Sequence, residues 1–333
     1  MVISGGKISL GQKEGFGMKT KSNLERVVEA GHFAVTAELS PSQNADPEVI
    51  RRKAGILKCY VDAFNVPDGQ SAVVAMASWA ACLIGKDEGL DPIVHMTCRD
   101  RNRIALQMDI LGVAALGIDN VLCLSGDPVS FGNYPEARFV LDVDSVQLVK
   151  IVKDLRDEHR FLNGEPILGR RPELFIGAVA NPFLELPETE VNRLEKKVDA
   201  GADFIQTQSV YSIEKFERWM EIVRERGLHN KVRILAGITP LKTVGAARYM
   251  KASIAGVDIP DELIERLRKL PTKERVSKEG IRIAVETISR LKEMEGVAGV
   301  HIMAAEWEEA MREICEASGL CPRPCFEELV ALE

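Results

Sequence analysis

Eight short apolar runs punctuate the chain, and each ends in polar or turn-forming residues: FAVTAELSP (33–41), VDAFNVPDG (61–69), PIVHMTCRD (92–100), NVLCLSGDP (120–128), LFIGAVANP (174–182), DFIQTQS (203–209), VRILAGITP (232–240) and GVHIMAAE (299–306). Each is strand-length and partly β-branched or aromatic. Between most of them, apolar residues recur at spacings of three and four. This predicts helices near 47–58, 72–85, 101–116, 143–159, 188–200, 213–226 and 241–251. In 101–116 the stripe Ile104, Met108, Leu111, Ala115 is the expected core face, and Gly117 stops the helix. A further helix is expected over 24–30, where it would plug the barrel bottom. Another lies over 260–270, bounded by Pro260 and Pro271, and a last amphipathic one over 307–318.

Strand and helix alternating throughout predict an α/β protein with a parallel sheet. Eight such units predict a closed (β/α)8 TIM barrel, which needs roughly 250 residues. The expected organisation is one barrel domain over 23–320, an N-terminal arm over 1–22 and a C-terminal tail over 321–333. Barrel chemistry sits where strands end. Glu38, Asp127 and Gln208 are therefore expected to face one another across one mouth.

A net charge of −7 argues against a nucleic-acid surface. The longest apolar-leaning run, SAVVAMASWAACLIG (71–85), is shorter than the ~20 residues that span a bilayer and reads as a buried barrel helix, not a membrane segment. The first residues carry no signal-peptide core. With seven cysteines, that predicts reduced thiols in a cytoplasmic protein. Cys315, Cys321 and Cys325 stand one thiol short of an ordinary zinc or iron–sulfur set and are read as free, with no metal expected.

Glu38 follows an apolar strand. A carboxylate in a walled mouth is desolvated, which raises its pKa and suits a general acid; a rim or capping carboxylate is the alternative. In SGDP (125–128), Gly126 allows close approach of a ligand to the backbone and Asp127 projects just beyond it, unless Asp127 only stabilises a turn. FIQTQ (204–208) carries polar side chains in a buried strand. Gln206 and Gln208 share its inward side and need partners, which a polar ligand or a neighbouring loop would supply. His95 has no second ligand at metal spacing and is read as a hydrogen-bonding residue. Arg99, Arg101 and Arg103 read as solvated residues at a helix start, with phosphate binding as the alternative. No dinucleotide-binding or P-loop glycine motif is present.

The segments ELSP, NVPDGQSAVVAMAS, HMTCRDRNRIALQMDILGVAALGIDNVLCLSGDP, KKVDAGADFIQTQ, AGITP and GVHIMAAEWEEA occur in that order. Over about residues 30–320 the chain resembles the methylenetetrahydrofolate reductase family, in particular its shorter bacterial and archaeal branch without a regulatory domain. The resemblance implies a flavin at the mouth, normally FAD with FMN as the alternative. It implies reduction of methylenetetrahydrofolate to methyltetrahydrofolate, with NAD(P)H or an electron-transfer protein subunit as donor. Glu38 matches the family's catalytic Glu, Asp127 its flavin-proximal Asp, and Gln208 the Gln that bonds donor and folate. Flavin contacts fall on Asn65, His95, Ser125, Gly126, Asp144, Asn181 and Lys197.

Many members carry Arg at the position of Ser125, and Ala246 and Trp307 replace the Gln and Arg that hold folate in enteric members. Two other readings stand beside this one. The chain would be the catalytic subunit of a larger complex fed by an iron–sulfur partner, or a flavin-free pterin-binding methyltransferase barrel. A homo- or hetero-oligomer is compatible with each.

Overall fold

Strands β1 (Ala34–Glu38), β2 (Ala63–Val66), β3 (Pro92–Thr97), β4 (Asn120–Leu124), β5 (Phe175–Ala180), β6 (Phe204–Ser209), β7 (Arg233–Ile238) and β8 (Val297–Ile302) pair in chain order. All ladders are parallel, and β8 closes on β1 with Thr36 opposite His301. The computed structural model describes residues 18–184 and 186–326. These strands read as nearly continuous apolar runs because helices cover their outer face and side chains fill the inner one. The expected (β/α)8 barrel is the observed fold.

The bottom is closed by α1 (Asn23–Glu29), capped by the Ser22 side chain. Its Leu24, Val27 and Val28 pack on the first inward residues of the strands, among them Ile93, Leu122, Phe175, Phe204 and Leu235. The Phe175 and Phe204 rings stack with centroids 5.1 Å apart. Gly177 leaves the space that this needs, since a Cβ there would lie 2.3 Å from the Phe204 ring. On the outside, Arg323 reaches the buried Asp62 at 2.5 Å and fastens the chain's last described residues beside β1 and β2.

The remaining helices are α2 (Pro47–Leu57), α3 (Ser78–Asp87), α4 (Arg103–Ala115), α5 (Ser145–Lys153), α6 (Pro187–Ala200), α7 (Ile213–Glu225), α8 (Val244–Ser253), α9 (Asp261–Arg268), α10 (Lys273–Lys292) and α11 (Ala310–Ala317). Several expectations need correction. Residues 71–77 are not helical. Gly69, Ser71 and Ala72 all take positive φ, and the segment runs as a short turn and an extended loop before α3. The helix expected over 143–159 gives way after Lys153 to a wider turn that His159 ends at φ +54°. The twenty-residue α10 was not anticipated.

On α4 the buried face is Leu106, Ile110 and Val113, whereas Ile104 and Met108 are 65% and 66% exposed. Both stripes have helical spacing, and the sequence offers no means of choosing between them. The N-terminal arm expected over 1–22 lies mostly outside the described residues.

Phe204 is fully buried in the bottom layer. Phe204→Ala should therefore cost about 3–5 kcal/mol of unfolding free energy. Equilibrium denaturation in urea checks this: the midpoint should fall with an unchanged slope.

Candidate active site

Glu38 is the last residue of β1 and only 6% exposed. It borders two adjoining cavities at the C-terminal ends of the strands, of about 390 and 370 Å3. The larger is lined by Glu38, His95, Leu124, Asn181, Gln208 and His301 among others, the smaller by Glu38, Gln70, Ser125, Gly126 and Asp127 among others. His95, Leu124, Val179 and Lys197 line both. Desolvation pushes the Glu38 carboxyl from 4.5 up to about 7, outweighing Gln70, the Lys53 charge and Ser40, all of which favour ionisation. Its Oε1 is buried without a hydrogen-bond partner. Lys53, whose charge favours ionisation of Glu38, is itself engaged through Nζ by Glu306 at 2.6 Å and Glu308 at 3.1 Å.

Beneath Glu38 lies a buried polar layer. Asn65 of β2 donates to His95 Nε2 at 2.9 Å and to Gln206 Oε1 at 2.7 Å. Gln206 of β6 donates to Asn65 Oδ1 at 3.0 Å and to Thr36 Oγ1 at 3.1 Å. Thr36 in turn meets His301 Nδ1 at 3.0 Å. Burial pushes both His95 and His301 down to about 3, so both rings are neutral. His95 is thus a hydrogen-bonding residue in this structure, and Gln206 finds its partners within the protein and not in a ligand. Gln208, two residues on, accepts from Ser209 N at 2.9 Å beside a register shift in the ladder and contributes to the wall of the larger cavity.

The smaller cavity is bounded by loops that ion pairs hold together. Arg99 is buried, pairs with Asp100 and donates to Gly69 O at 2.9 Å. Arg101 links Asp68 and Asp109, and Asp68 also accepts from Thr97. Arg103 pairs with Asp142. Arg99 and Arg101 are not solvated residues, whereas Arg103 is the exposed first residue of α4, as expected of a helix start; together the three pairs pin the loops that follow β2, β3 and β4. Gly126 sits at φ +87°, and a Cβ there would lie 2.9 Å from Arg99 Cβ. Glycine is required here by the backbone and by Arg99. Asp127 is exposed and accepts from Ser71 N at 2.7 Å, which bridges two mouth loops while its carboxylate borders the cavity.

Lys197 of α6 donates to Val179 O at 2.5 Å, and burial lowers its pKa. An ammonium has three donors, so others remain for a ligand in either cavity. Asn181, after β5, donates to Ala255 O at 3.3 Å and borders the larger cavity. Asp144 caps α5 in a reciprocal box with Gln147; it is not itself a lining residue, but its neighbour Ser145 lines the smaller cavity and its charge acts on Lys197, and Asn65 lies one layer below the linings. Of the positions that replace the enteric folate contacts, Ala246 is in the first turn of α8, and Trp307 lies under Lys242 Nζ, 5.4 Å from its ring centroid. Sequence reasoning missed Thr36, Lys53, Gln70 and His301. The only signal for His301 was its inward position in GVHIM, one residue before the strand's last residue, Ile302.

A (β/α)8 barrel with a protonatable carboxyl in its mouth, set over a polar layer, places acid–base chemistry at the end of the barrel where this fold carries its sites. The sequence profile of the methylenetetrahydrofolate reductase family matches residues 23–319, and the chain belongs to that family. It is 27% identical over 245 residues to methylenetetrahydrofolate reductase 1 of Schizosaccharomyces pombe, spanning 72% of this chain but 37% of that protein. The second fission-yeast protein, methylenetetrahydrofolate reductase 2, is 23% identical and 43% covered, so the chain spans about two fifths of these relatives. The 5,10-methylenetetrahydrofolate reductase of Salmonella typhimurium is 26% identical, with 70% of this chain and 72% of that protein covered. A solved structure of a Clostridium thermocellum protein, described as binding two copies of 5-methyl-5,6,7,8-tetrahydrofolic acid, superposes with a TM-score of 0.65. That match covers 89% of this chain and 98% of the other at 16% identity, which shows the shared fold. No helix among the described residues is long and apolar enough to cross a membrane.

The Glu38 carboxyl predicts a pH-dependent stability. The folded protein keeps a proton that the unfolded chain releases near 4.5, so raising the pH from about 4.5 to 7 favours unfolding. At 1.36 kcal/mol per pH unit this destabilisation reaches about 3 kcal/mol. Glu38→Gln cannot ionise. Thermal melts should show it gaining on the wild type as the pH rises through this window, with no further gain above about 7.

Proposed function

We propose that this chain catalyses the flavin-dependent reduction of 5,10-methylenetetrahydrofolate to 5-methyltetrahydrofolate. The observation that carries the reading is Glu38: a carboxyl that holds its proton to about pH 7, in the mouth, with Oε1 unpaired. The residues fit a flavin. The adjoining cavities share an apolar ledge of Leu124 and Val179, and Lys197 stands beside it with N–H groups to offer an anionic tail. FAD, with FMN as the alternative, would be held by His95, Ser125, Gly126, Asp127, Asn181 and Lys197, with Asn65 orienting His95 and Asp144 close to Lys197. A bound flavin supplies hydride transfer.

The protein's own part is acid–base and electrostatic. Opening the methylene bridge of the folate requires a proton on the departing ring nitrogen and leaves an iminium on the other. Glu38 gives that proton, directly or through a water, and its unpaired oxygen faces no competing partner. General acid help of this kind is typically ~10²–10⁴-fold. Asp127 stabilises the positive charge that develops on the folate. Gln208 orients the pterin through a neutral hydrogen bond worth about 1 kcal/mol. NAD(P)H or an electron-transfer protein would supply the electrons, a step that needs no proton from Glu38.

The purified protein should show flavin absorption bands; a colourless protein that binds no added flavin would favour the methyltransferase reading. In stopped-flow measurements Glu38→Gln should leave flavin reduction by the donor largely intact and slow reoxidation by methylenetetrahydrofolate by ~10²-fold or more. The wild-type folate half-reaction should decline as the pH rises through about 7, because the acid is then ionised. Collapse of the reductive half-reaction with folate reoxidation intact would place Glu38 on the donor side and refute its role as the acid.

A further inference from the structure

The polar layer under Glu38 is a hydrogen-bonded row that runs from His95 through Asn65, Gln206 and Thr36 to His301. Counting protons along it, with the shorter bond taken where the Thr36 hydroxyl has two acceptors, assigns both rings. A side-chain amide nitrogen has two N–H groups and a hydroxyl one O–H. Asn65 Nδ2 gives its two to Gln206 Oε1 and His95 Nε2, so His95 Nε2 accepts and the ring proton sits on Nδ1. Gln206 Nε2 gives its two to Asn65 Oδ1 and Thr36 Oγ1. The Thr36 hydroxyl accepts from Gln206, and its own proton goes to His301 Nδ1 at 3.0 Å in preference to the more distant Val300 O at 3.5 Å. A neutral His301 then carries its proton on Nε2.

That Nε2 has no partner among the described residues, and it is not among the buried polar atoms left unpaired. The His301 side chain borders the 390 Å3 cavity. The register Thr36↔His301 sets the ring one layer beneath Glu38, which is two residues beyond Thr36 on the same side of β1. One end of the imidazole is thus anchored, and the other is a donor that opens on the cavity, where a ligand acceptor can reach it.

We propose that His301 is a ligand-binding residue of the mouth: its Nε2–H, oriented by Thr36, donates to an acceptor on the pyrimidinone edge of the bound ring. A folate pterin and a flavin share that edge, and the assignment rests on the proposed function for both ligands. The Asn65–Gln206 pair holds the donor in place, because turning both amides over would reverse the row and present a lone pair instead.

Two variants test this. His301→Asn has an amide near Thr36 and nothing at the Nε2 position, whereas His301→Gln reaches that position with an N–H. Affinities for 5-methyltetrahydrofolate by calorimetry and for flavin by fluorescence quenching should be measured on both. His301→Asn should weaken one ligand by about fivefold to tenfold, as expected for one lost hydrogen bond. His301→Gln should restore it to within about threefold. The ligand that weakens identifies which ring lies against β8. Unchanged affinities in His301→Asn, or a loss of thermal stability in both variants with affinities intact, would overturn the assignment and leave the proposed function standing. Wild-type protein that binds neither ligand would instead overturn the proposed function. 15N NMR of the histidine rings gives a check without ligand: a proton on His301 Nδ1 would contradict the donor role.

Discussion

The inside of a closed eight-stranded barrel must be filled by its own side chains, because alternate residues of every strand point into a space that solvent reaches only from the ends. In this chain the filling changes character with height. The lowest layer is apolar, sealed by α1 and the stacked Phe175 and Phe204. The next is polar and bonds within itself through Thr36, Asn65, His95, Gln206 and His301 Nδ1, while His301 Nε2 faces the cavity. Above it, Glu38 Oε1 is buried in the mouth without a partner among the described residues. Burial above these layers desolvates Glu38, which is how a carboxyl keeps its proton near neutrality.

The nearest strong cation could have undone this. Lys53 favours ionisation of Glu38, yet its ammonium is bound to Glu306 and Glu308, and these carboxylates hold its pKa above the ordinary value despite burial. The attraction it exerts on Glu38 is diluted by negative charge close by. Around the other half of the mouth, Arg99, Arg101 and Arg103 are likewise consumed in pairs, but there the pairing is architectural. It fixes the loop after β3 against those after β2 and β4, so that Asp127 and the backbone at Gly126 hold defined positions. Asp127 itself ties to Ser71 N, joining the loop after β4 to the one after β2.

The sequence by itself determined the barrel and the strand ends. A parallel barrel strand is apolar on both faces and stops where solvent begins, so eight apolar runs with polar ends locate Glu38, Asp127 and Gln208 at one rim before any coordinates exist. It also determined the raised pKa of Glu38 in direction, because a carboxylate at the end of a buried strand is desolvated wherever its neighbours lie. Tertiary structure alone decided the rest. Which of two apolar stripes on α4 faces the sheet, and that residues 71–77 leave helical conformation to meet Asp127, depend on partners tens of residues away. So do the partners of Gln206, the deflection of Lys53 and the hydrogen-bonded row that ends at His301, since each joins strands distant in sequence. Periodicity is a local signal and reports which residues seek burial. The pairing of charges and the direction of hydrogen bonds are set by contacts between strands, and those exist only once the barrel has closed.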